Sequence, residues 1–244
     1  LFVVLACPVN AAVSQWTDDA NANWDTATWS AGMPDAAGDT ANLTYDITAA
    51  RILTINTTSR TVGILNMGDS SGTSTYTLTA SGGGRLILNN SGALAQINKI
   101  TSTAGNTISA PLTLVDSLVV SNNTSGTFTL SGGITNFTAT TKTLFSAGTG
   151  SGIISLTGII QDGAGPISIV HRSAPIILSL GALHTYSGDT IISNGQARVA
   201  VSYAVPYGTG KGNLIVYGTF NLYSFYVSLN GLSGTGIVNN TSSA

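Results

Sequence analysis

The 244-residue sequence has very few charged side chains and no glutamate. Charged residues make up 7% of the chain, against about a quarter in ordinary globular domains. All ten acidic residues are aspartates, and lysine and arginine together number eight. Because Glu, Lys and Arg are the straight side chains that cover helices in water, their scarcity argues against helices. The polar surface must come from Thr, Ser, Asn and Gly, which suit strands and turns. The composition therefore predicts an all-β protein.

The absence of a basic patch and of a long apolar run excludes two classes of partner. With a formal net charge of −2, the chain cannot neutralise a row of phosphates, so we predict no nucleic-acid binding. The mean hydropathy is +0.30, yet no run reaches the roughly 18 apolar residues that span a bilayer. We therefore predict no transmembrane segment and place the apolar residues in a β core.

The beginning of the chain differs from the rest. Residues 1–11 resemble the end of a secretory signal, with an apolar run, Pro8 and small residues that predict cleavage after Ala11. The alternative is a lipoprotein signal with a lipid on Cys7. Since Cys7 is the only cysteine, a chain cleaved after Ala11 has no disulfide and no Cys-ligated metal. We expect a secreted or cell-surface protein without a cofactor, and a sequence truncated at its N-terminus.

Two further segments follow. Residues 12–40 hold all three tryptophans and five of the ten aspartates, and they predict an N-terminal cap. Residues 41–244 are a series of short runs rich in Leu, Ile, Val and Thr, with alternating polarity and bounded by Gly, Asn or Ser. Such runs predict strands joined by turns. We interpret 41–244 as one truncated β domain.

Internal similarity selects a solenoid among the all-β folds. The sequence Ser-Ala-Pro-Leu-Thr-Leu at 109–114 returns as Ser-Ala-Pro-Ile-Ile-Leu at 173–178, and Leu-Ser-Gly-Gly-Ile at 130–134 returns as Leu-Thr-Gly-Ile-Ile at 156–160. Degenerate repeats of this kind are typical of stacked coils that each touch only their neighbours. We therefore predict a parallel β-helix with three-sided coils.

The C-terminal motifs resemble a known family. Residues 184–192 read His-Thr-Tyr-Ser-Gly-Asp-Thr-Ile-Ile, and residues 226–238 end in Leu-Ser-Gly-Thr-Gly-Ile-Val. They are similar to the autotransporter-associated β-strand repeat, also called the passenger-associated transport repeat, most strongly over 153–240. The resemblance implies a right-handed, single-stranded parallel β-helix that is exported to a bacterial surface. His184 and Asp189 depart from the family pattern, which has Asn or Asp and Gly at these places.

One group of residues is a candidate for catalysis. Asp162, His171, His184 and Asp189 could form the acid–base site of a polysaccharide-degrading enzyme. The alternative, which we favour, is that both aspartates are turn residues beside glycine and both histidines are solvated loop ends.

Aromatic residues are the candidates for binding. Trp16, Trp24 and Trp29 could form a platform for sugar rings, but we favour a cap over the open end of the helix. The nearby aspartates could bind calcium, although the glycine-rich nonapeptide of calcium β-rolls is absent. The C-terminal tyrosines could form an adhesive stripe, and the alternative is an aromatic stack along two coils: Tyr203, Tyr207, Tyr217, Tyr223 and Tyr226.

Together these observations predict a β-helical passenger that acts as an adhesin or cell-envelope scaffold. Its expected partner is a host or matrix polysaccharide or a surface protein. Two alternatives stay open: a polysaccharide lyase or glycosidase that uses the 162–189 cluster, and a pure export and folding module of a longer protein. Carboxylates paired in a groove would distinguish the enzyme from the other two.

Overall fold

The computed structural model describes residues 11–242, and in this range all regular secondary structure is β-strand. The predicted signal segment therefore lies almost entirely outside the described residues. Residues 11–242 include no helix long and apolar enough to cross a membrane. In chain order the strands are β1 (Val13–Gln15), β2 (Ala22–Asn23), β3 (Thr40–Leu43), β4 (Arg51–Ile55), β5 (Arg60–Val62), β6 (Ile64–Met67), β7 (Tyr76–Ala80), β8 (Leu86–Leu88), β9 (Ala95–Lys99), β10 (Asn106–Ile108), β11 (Leu112–Leu114), β12 (Leu118–Asn122), β13 (Phe128–Leu130), β14 (Ile134–Asn136), β15 (Lys142–Ala147), β16 (Ile153–Leu156), β17 (Ile160–Gln161), β18 (Ile167–Leu180), β19 (Thr190–Val199), β20 (Leu214–Val216), β21 (Thr219–Asn221), β22 (Leu232–Ser233) and β23 (Ile237–Asn239).

The strands stack into three columns, which we name sides 1, 2 and 3. Side 1 contains β1, β3, β6, β9, β12, β15, β20 and β22, side 2 contains β2, β4, β7, β10, β13, β16, β21 and β23, and side 3 contains β5, β8, β11, β14 and β17. The long strands β18 and β19 turn a corner and contribute to sides 1 and 2. Every ladder between these strands is parallel. The predicted parallel β-helix is confirmed.

Alternating polarity within each strand builds the core. On side 1, Ala41, Leu65, Ile97 and Val120 occupy one register position in successive coils, and none of them is exposed. Full burial of an aliphatic side chain of this size contributes about 1.5–3 kcal/mol. The column of aliphatic residues therefore stabilises each coil on the coil before it.

The outward positions form ladders of neutral polar groups. On side 1 the Asn66 amide donates to Asn42 Oδ1 at 2.8 Å, the Asn98 amide donates to Asn66 Oδ1 at 2.9 Å, and the Ser121 hydroxyl donates to Asn98 Oδ1 at 2.7 Å. On side 2 the outward register position carries only hydroxyls over five coils: Thr77, Thr107, Thr129, Ser155 and Ser179. Equal side chains stacked about 4.8 Å apart can share hydrogen bonds if they are neutral but repel if they carry like charges.

The first coil consists of the Trp-rich segment itself. β1 and β2 pair in parallel with β3 and β4, so residues 12–40 continue the solenoid rather than form a separate unit. Trp16 and Trp24 are completely buried and Trp29 is 9% exposed. Their indole nitrogens donate within the first coil, to Asp18, to the Pro34 carbonyl and to the Trp24 carbonyl respectively. The platform interpretation for sugar rings is therefore wrong, because these ring faces lie in the core.

One cation lies inside the solenoid. Lys99 shares its register position with Met67 in one neighbouring coil and Asn122 in the other, and it is not exposed. Its ammonium group donates to the Ser102 carbonyl and to the Thr124 hydroxyl. Burial lowers the pKa of Lys99 to about 8. No carboxylate pairs with it among residues 11–242.

We expect the indole rings of the first coil to close the end of the core. Trp24→Ala removes a fully buried ring and should lower the free energy of unfolding by about 3–5 kcal/mol, measured by urea denaturation. Val13→Ala, in the same coil at a position 63% exposed, is the matched control and should change stability little. Equal stabilities of the two variants would contradict the cap.

The buried Lys99 should make stability rise with pH. Its pKa is lower in the folded chain, about 8, than its ordinary value of 10.5, so the unfolded chain binds more protons between these values. Raising the pH from 7 to 9.5 should therefore add about 2 kcal/mol to the free energy of unfolding. Lys99→Met, which copies the neighbouring Met67, should remove this increment. If urea denaturation gives the variant the same pH dependence as the unsubstituted chain, Lys99 is not its source.

Candidate functional site

Side 3 continues beyond β17 without regular strands and there forms a pocket. The Thr185 N–H donates to the Ile160 carbonyl at 2.9 Å, and the Ile160 N–H donates to Nδ1 of His184 at 3.1 Å. The chain around residue 184 thus stacks on β17. Together with the loop after β19 it encloses about 290 Å³, which we name the tyrosine pocket and which is lined by Leu183, His184, Thr185, Tyr203, Pro206, Tyr207 and Lys211.

Two tyrosine rings form one wall of the pocket. The ring centroids of Tyr203 and Tyr207 are 5.8 Å apart, with an interplanar angle of 42°. The two residues are 43% and 50% exposed, so part of this aromatic pair is accessible to a ligand. Leu183, 59% exposed, adds apolar surface. An accessible aromatic pair is suited to stack on another flat or apolar surface.

The backbone holds Tyr203 in an unfavourable conformation. Its φ is +62°, in the left-handed region that costs a residue with a side chain about 1–2 kcal/mol. The Tyr203 N–H donates to the Tyr226 carbonyl at 2.7 Å, and the Tyr226 N–H donates to the Ser202 hydroxyl at 3.2 Å. The following coil therefore fixes the strained residue. Backbone strain of this kind is enriched at functional sites, although four other residues with side chains also have positive φ.

The polar groups of the pocket are a histidine and a lysine. His184 is 4% exposed, and burial lowers its pKa to about 4, so the imidazole is neutral at neutral pH. Because Nδ1 accepts a hydrogen bond, Nε2 carries the proton, and it has no acceptor in the described part of the chain. The Lys211 ammonium group donates to the Thr185 carbonyl. The pocket thus offers apolar ring surface and one ammonium group, whereas the unsatisfied Nε2–H of His184 is buried.

The four candidates for catalysis are not linked to one another. Asp162 Oδ1 accepts from the Ile167 N–H at 2.8 Å and the Ser187 N–H at 3.1 Å. Asp189 Oδ1 accepts from the Asn213 N–H at 2.8 Å. Within residues 11–242 no hydrogen bond or ion pair joins any two of Asp162, His171, His184 and Asp189. The aspartates lie at corners, where they bind backbone N–H groups, as the turn interpretation predicts.

Both histidines are buried, so the expectation of solvated loop ends is wrong. His171 occupies the inward position of side 1 between Ser146 and Ile192 and is not exposed. The Ser146 hydroxyl lies 2.7 Å from Nδ1 of His171. Nε2 has no hydrogen bond of regular geometry. Burial lowers the pKa of His171 to about 4, although the nearby backbone of Ile176 and Ser173 opposes this shift.

The aspartates of the first coil bind backbone N–H groups and Arg60. Asp39 accepts from the backbone N–H groups of Ala12, Asp35 and Ala36. Arg60 pairs with Asp25 at 2.5 Å and with Asp35 at 2.6 Å. In the part of the chain that the structure describes, no group of three or more His, Cys or Asp side chains could hold a metal ion.

The C-terminal aromatic residues divide into separate environments. Tyr217 and Tyr226 are 57% and 75% exposed outside the tyrosine pocket, and the Arg198 guanidinium lies 4.8 Å from the ring centroid of Tyr223. Of the predicted stripe, Tyr203 and Tyr207 line the tyrosine pocket. The sequence did not predict Leu183, Pro206 or Lys211 as its other walls, although Lys211 lies in a glycine-rich loop and is one of only eight cations.

The two buried histidines should weaken the fold in mild acid. Their pKa is about 4 in the folded chain against an ordinary 6.5, so their contribution to stability is complete above pH 6.5 and is lost as the pH falls towards 4. Between pH 7.5 and 4.5 each should remove ~2–3 kcal/mol from the free energy of unfolding. His171→Leu should show about half of the pH dependence of the unsubstituted chain in urea denaturation. An unchanged pH dependence would rule out His171 as a source.

Comparison with known proteins adds no family to this description. No family model matches the chain, no curated protein is similar to it, and no solved structure matches it. The resemblance to the autotransporter-associated repeat stays a prediction from the sequence motifs, whereas the parallel solenoid is visible in the strand pairing.

Proposed function

We propose that the chain is a secreted or surface-exposed β-helical passenger that acts as an adhesin, and that the tyrosine pocket binds a host or matrix polysaccharide. The observation that carries this proposal is the pair of half-exposed tyrosine residues, with ring centroids 5.8 Å apart, on a continuous solenoid. The autotransporter-like motifs support export to a bacterial surface.

Several properties of the pocket favour a sugar ligand. Tyrosine rings offer a large apolar face for the CH groups of a sugar ring and lose little conformational entropy when they bind. The Lys211 ammonium group lines the pocket and can donate to sugar hydroxyls. Since no carboxylate lines the pocket, it lacks the paired acid groups that glycoside hydrolysis requires.

The outer surfaces support a role in presentation. The asparagine ladder of side 1 and the hydroxyl ladder of side 2 cover long stretches of the solenoid with neutral polar groups. Solenoids typically bind through such extended surfaces. A weak pocket repeated on many copies at a cell surface gains affinity by multivalency.

The first test is direct binding. The purified chain should be slowed in affinity electrophoresis through gels that contain xyloglucan or laminarin, two neutral polysaccharides, or polygalacturonate. Tyr203→Ala/Tyr207→Ala should weaken binding about tenfold or more, because each ring contributes about 0.5–1.5 kcal/mol beyond its buried area. Tyr217→Ala/Tyr226→Ala removes two exposed rings outside the pocket and should bind as the unsubstituted chain does.

The same samples distinguish the alternatives. Retardation by none of the polysaccharides, or equal retardation of both double variants, would overturn the proposed pocket. Release of new reducing or unsaturated sugar ends, abolished by Asp189→Asn, would overturn the adhesin in favour of the enzyme.

A further inference from the structure

The outer surface of side 3 carries a second pocket, independent of the tyrosine pocket. It encloses about 280 Å³ and is lined by Ser59, Arg85, Ile87, Thr113, Val115 and Phe137. The register of β8 and β11 places Ile87 beside Thr113. Their neighbours in the strands point into the core and are at most 1% exposed, so Ile87 and Thr113 point outwards. We name this site the arginine pocket.

The walls of the arginine pocket are mostly apolar. Phe137 is 71% exposed, which is unusual for a phenyl ring because it has no polar end to turn towards water. Ile87 and Val115 are only partly buried beside it. A ligand that covers the exposed phenyl ring would remove apolar surface from water, which contributes about 25 cal/mol of binding free energy per Å². The pocket therefore favours a ligand with an apolar body.

Arg85 supplies a free positive charge. In the described part of the chain its exposed guanidinium has no hydrogen bond, ion pair or ring contact. No carboxylate lines the pocket. The aspartate nearest in sequence to the lining residue Val115 is Asp116, and its carboxylate accepts from the N–H groups of Asn90 and Gly92. An unpaired guanidinium next to apolar walls favours an anion, and its planar fork matches a carboxylate.

Thr113 supplies an unsatisfied hydroxyl. The residue is 4% exposed, and its Oγ1 is buried without a hydrogen-bond partner in the described residues. A buried hydroxyl without a partner costs about 1–3 kcal/mol. Since two χ1 rotamers are common in strands, rotation of the side chain can exchange its methyl for its hydroxyl at the pocket surface. A ligand with an acceptor oxygen would satisfy this group.

We propose that the arginine pocket binds a small aryl or alkyl carboxylate. The apolar body packs on Phe137, Ile87 and Val115, and the carboxylate accepts hydrogen bonds from the Arg85 guanidinium and the Thr113 hydroxyl. The volume lies just below the usual range of about 300–1,000 Å³ for ligand pockets, so the pocket admits one ring-sized ligand. The proposal does not depend on polysaccharide binding, since the two pockets share no lining residue.

Phenylacetate tests the proposal, because it combines a phenyl ring with a carboxylate. We expect millimolar binding by isothermal titration at low salt, and binding at least about tenfold weaker for the neutral isostere phenylacetamide and for acetate. Arg85→Gln and Phe137→Ala should each weaken phenylacetate binding about tenfold. Thr113→Val should weaken it about threefold or more, and because it removes an unsatisfied hydroxyl, its urea midpoint should be unchanged or higher.

Lys142→Gln is the matched control. It removes a lysine that lies outside the pocket and has no ion pair in the described chain, and it should leave phenylacetate binding unchanged. The proposal is overturned if phenylacetate does not bind, or if either phenylacetamide or acetate binds as tightly as phenylacetate. It is also overturned if Arg85→Gln, folded as judged by its urea midpoint, binds phenylacetate as tightly as Lys142→Gln does.

Discussion

Parallel backbone pairing between successive coils determines the core, the surface and the charge content of this molecule. Each coil satisfies its strand N–H and C=O groups on the coils before and after it, so residues at one register position must stack in a column about 4.8 Å apart. Columns of aliphatic residues then fill the interior, and columns of Asn, Ser and Thr cover the outside. A column of like charges would repel itself, which accounts for a chain with only 7% charged residues.

The same constraint gives several of the aspartates a structural role. At the corners the chain leaves the ladder, and its N–H groups need other acceptors. The carboxylates of Asp69, Asp116, Asp162 and Asp189 fill this role, and each accepts from backbone N–H groups of an adjacent turn or coil. The short side chain of aspartate suits such local hydrogen bonds to the backbone. Two of the four candidates for catalysis, Asp162 and Asp189, thus bind backbone N–H groups at corners.

Sequence periodicity predicted the fold because it is a local property, and the same periodicity contained signals that the site predictions missed. His171 follows Ile167 and Ile169 at alternate positions of β18, and Lys99 follows Ala95 and Ile97 in the same way in β9. Alternation thus points both polar groups into the core.

The pockets could not be predicted from the alternation of polar and apolar residues. One coil advances 18 residues, from Leu214 to Leu232, and another 32, from Ile64 to Gln96, so sequence spacing does not show which loops meet.

Both pockets described above occur where the solenoid departs from regularity. Both lie on side 3, and no residue of the hydroxyl column of side 2 lines either of them. The tyrosine pocket forms where the strands of side 3 end and the loop after β19 folds back with Tyr203 at positive φ. The arginine pocket forms where Arg85 before one strand and Phe137 after another leave their side chains outside the ladder. Because the core fixes the coils, we expect substitutions of exposed residues at these irregular places to leave the fold intact.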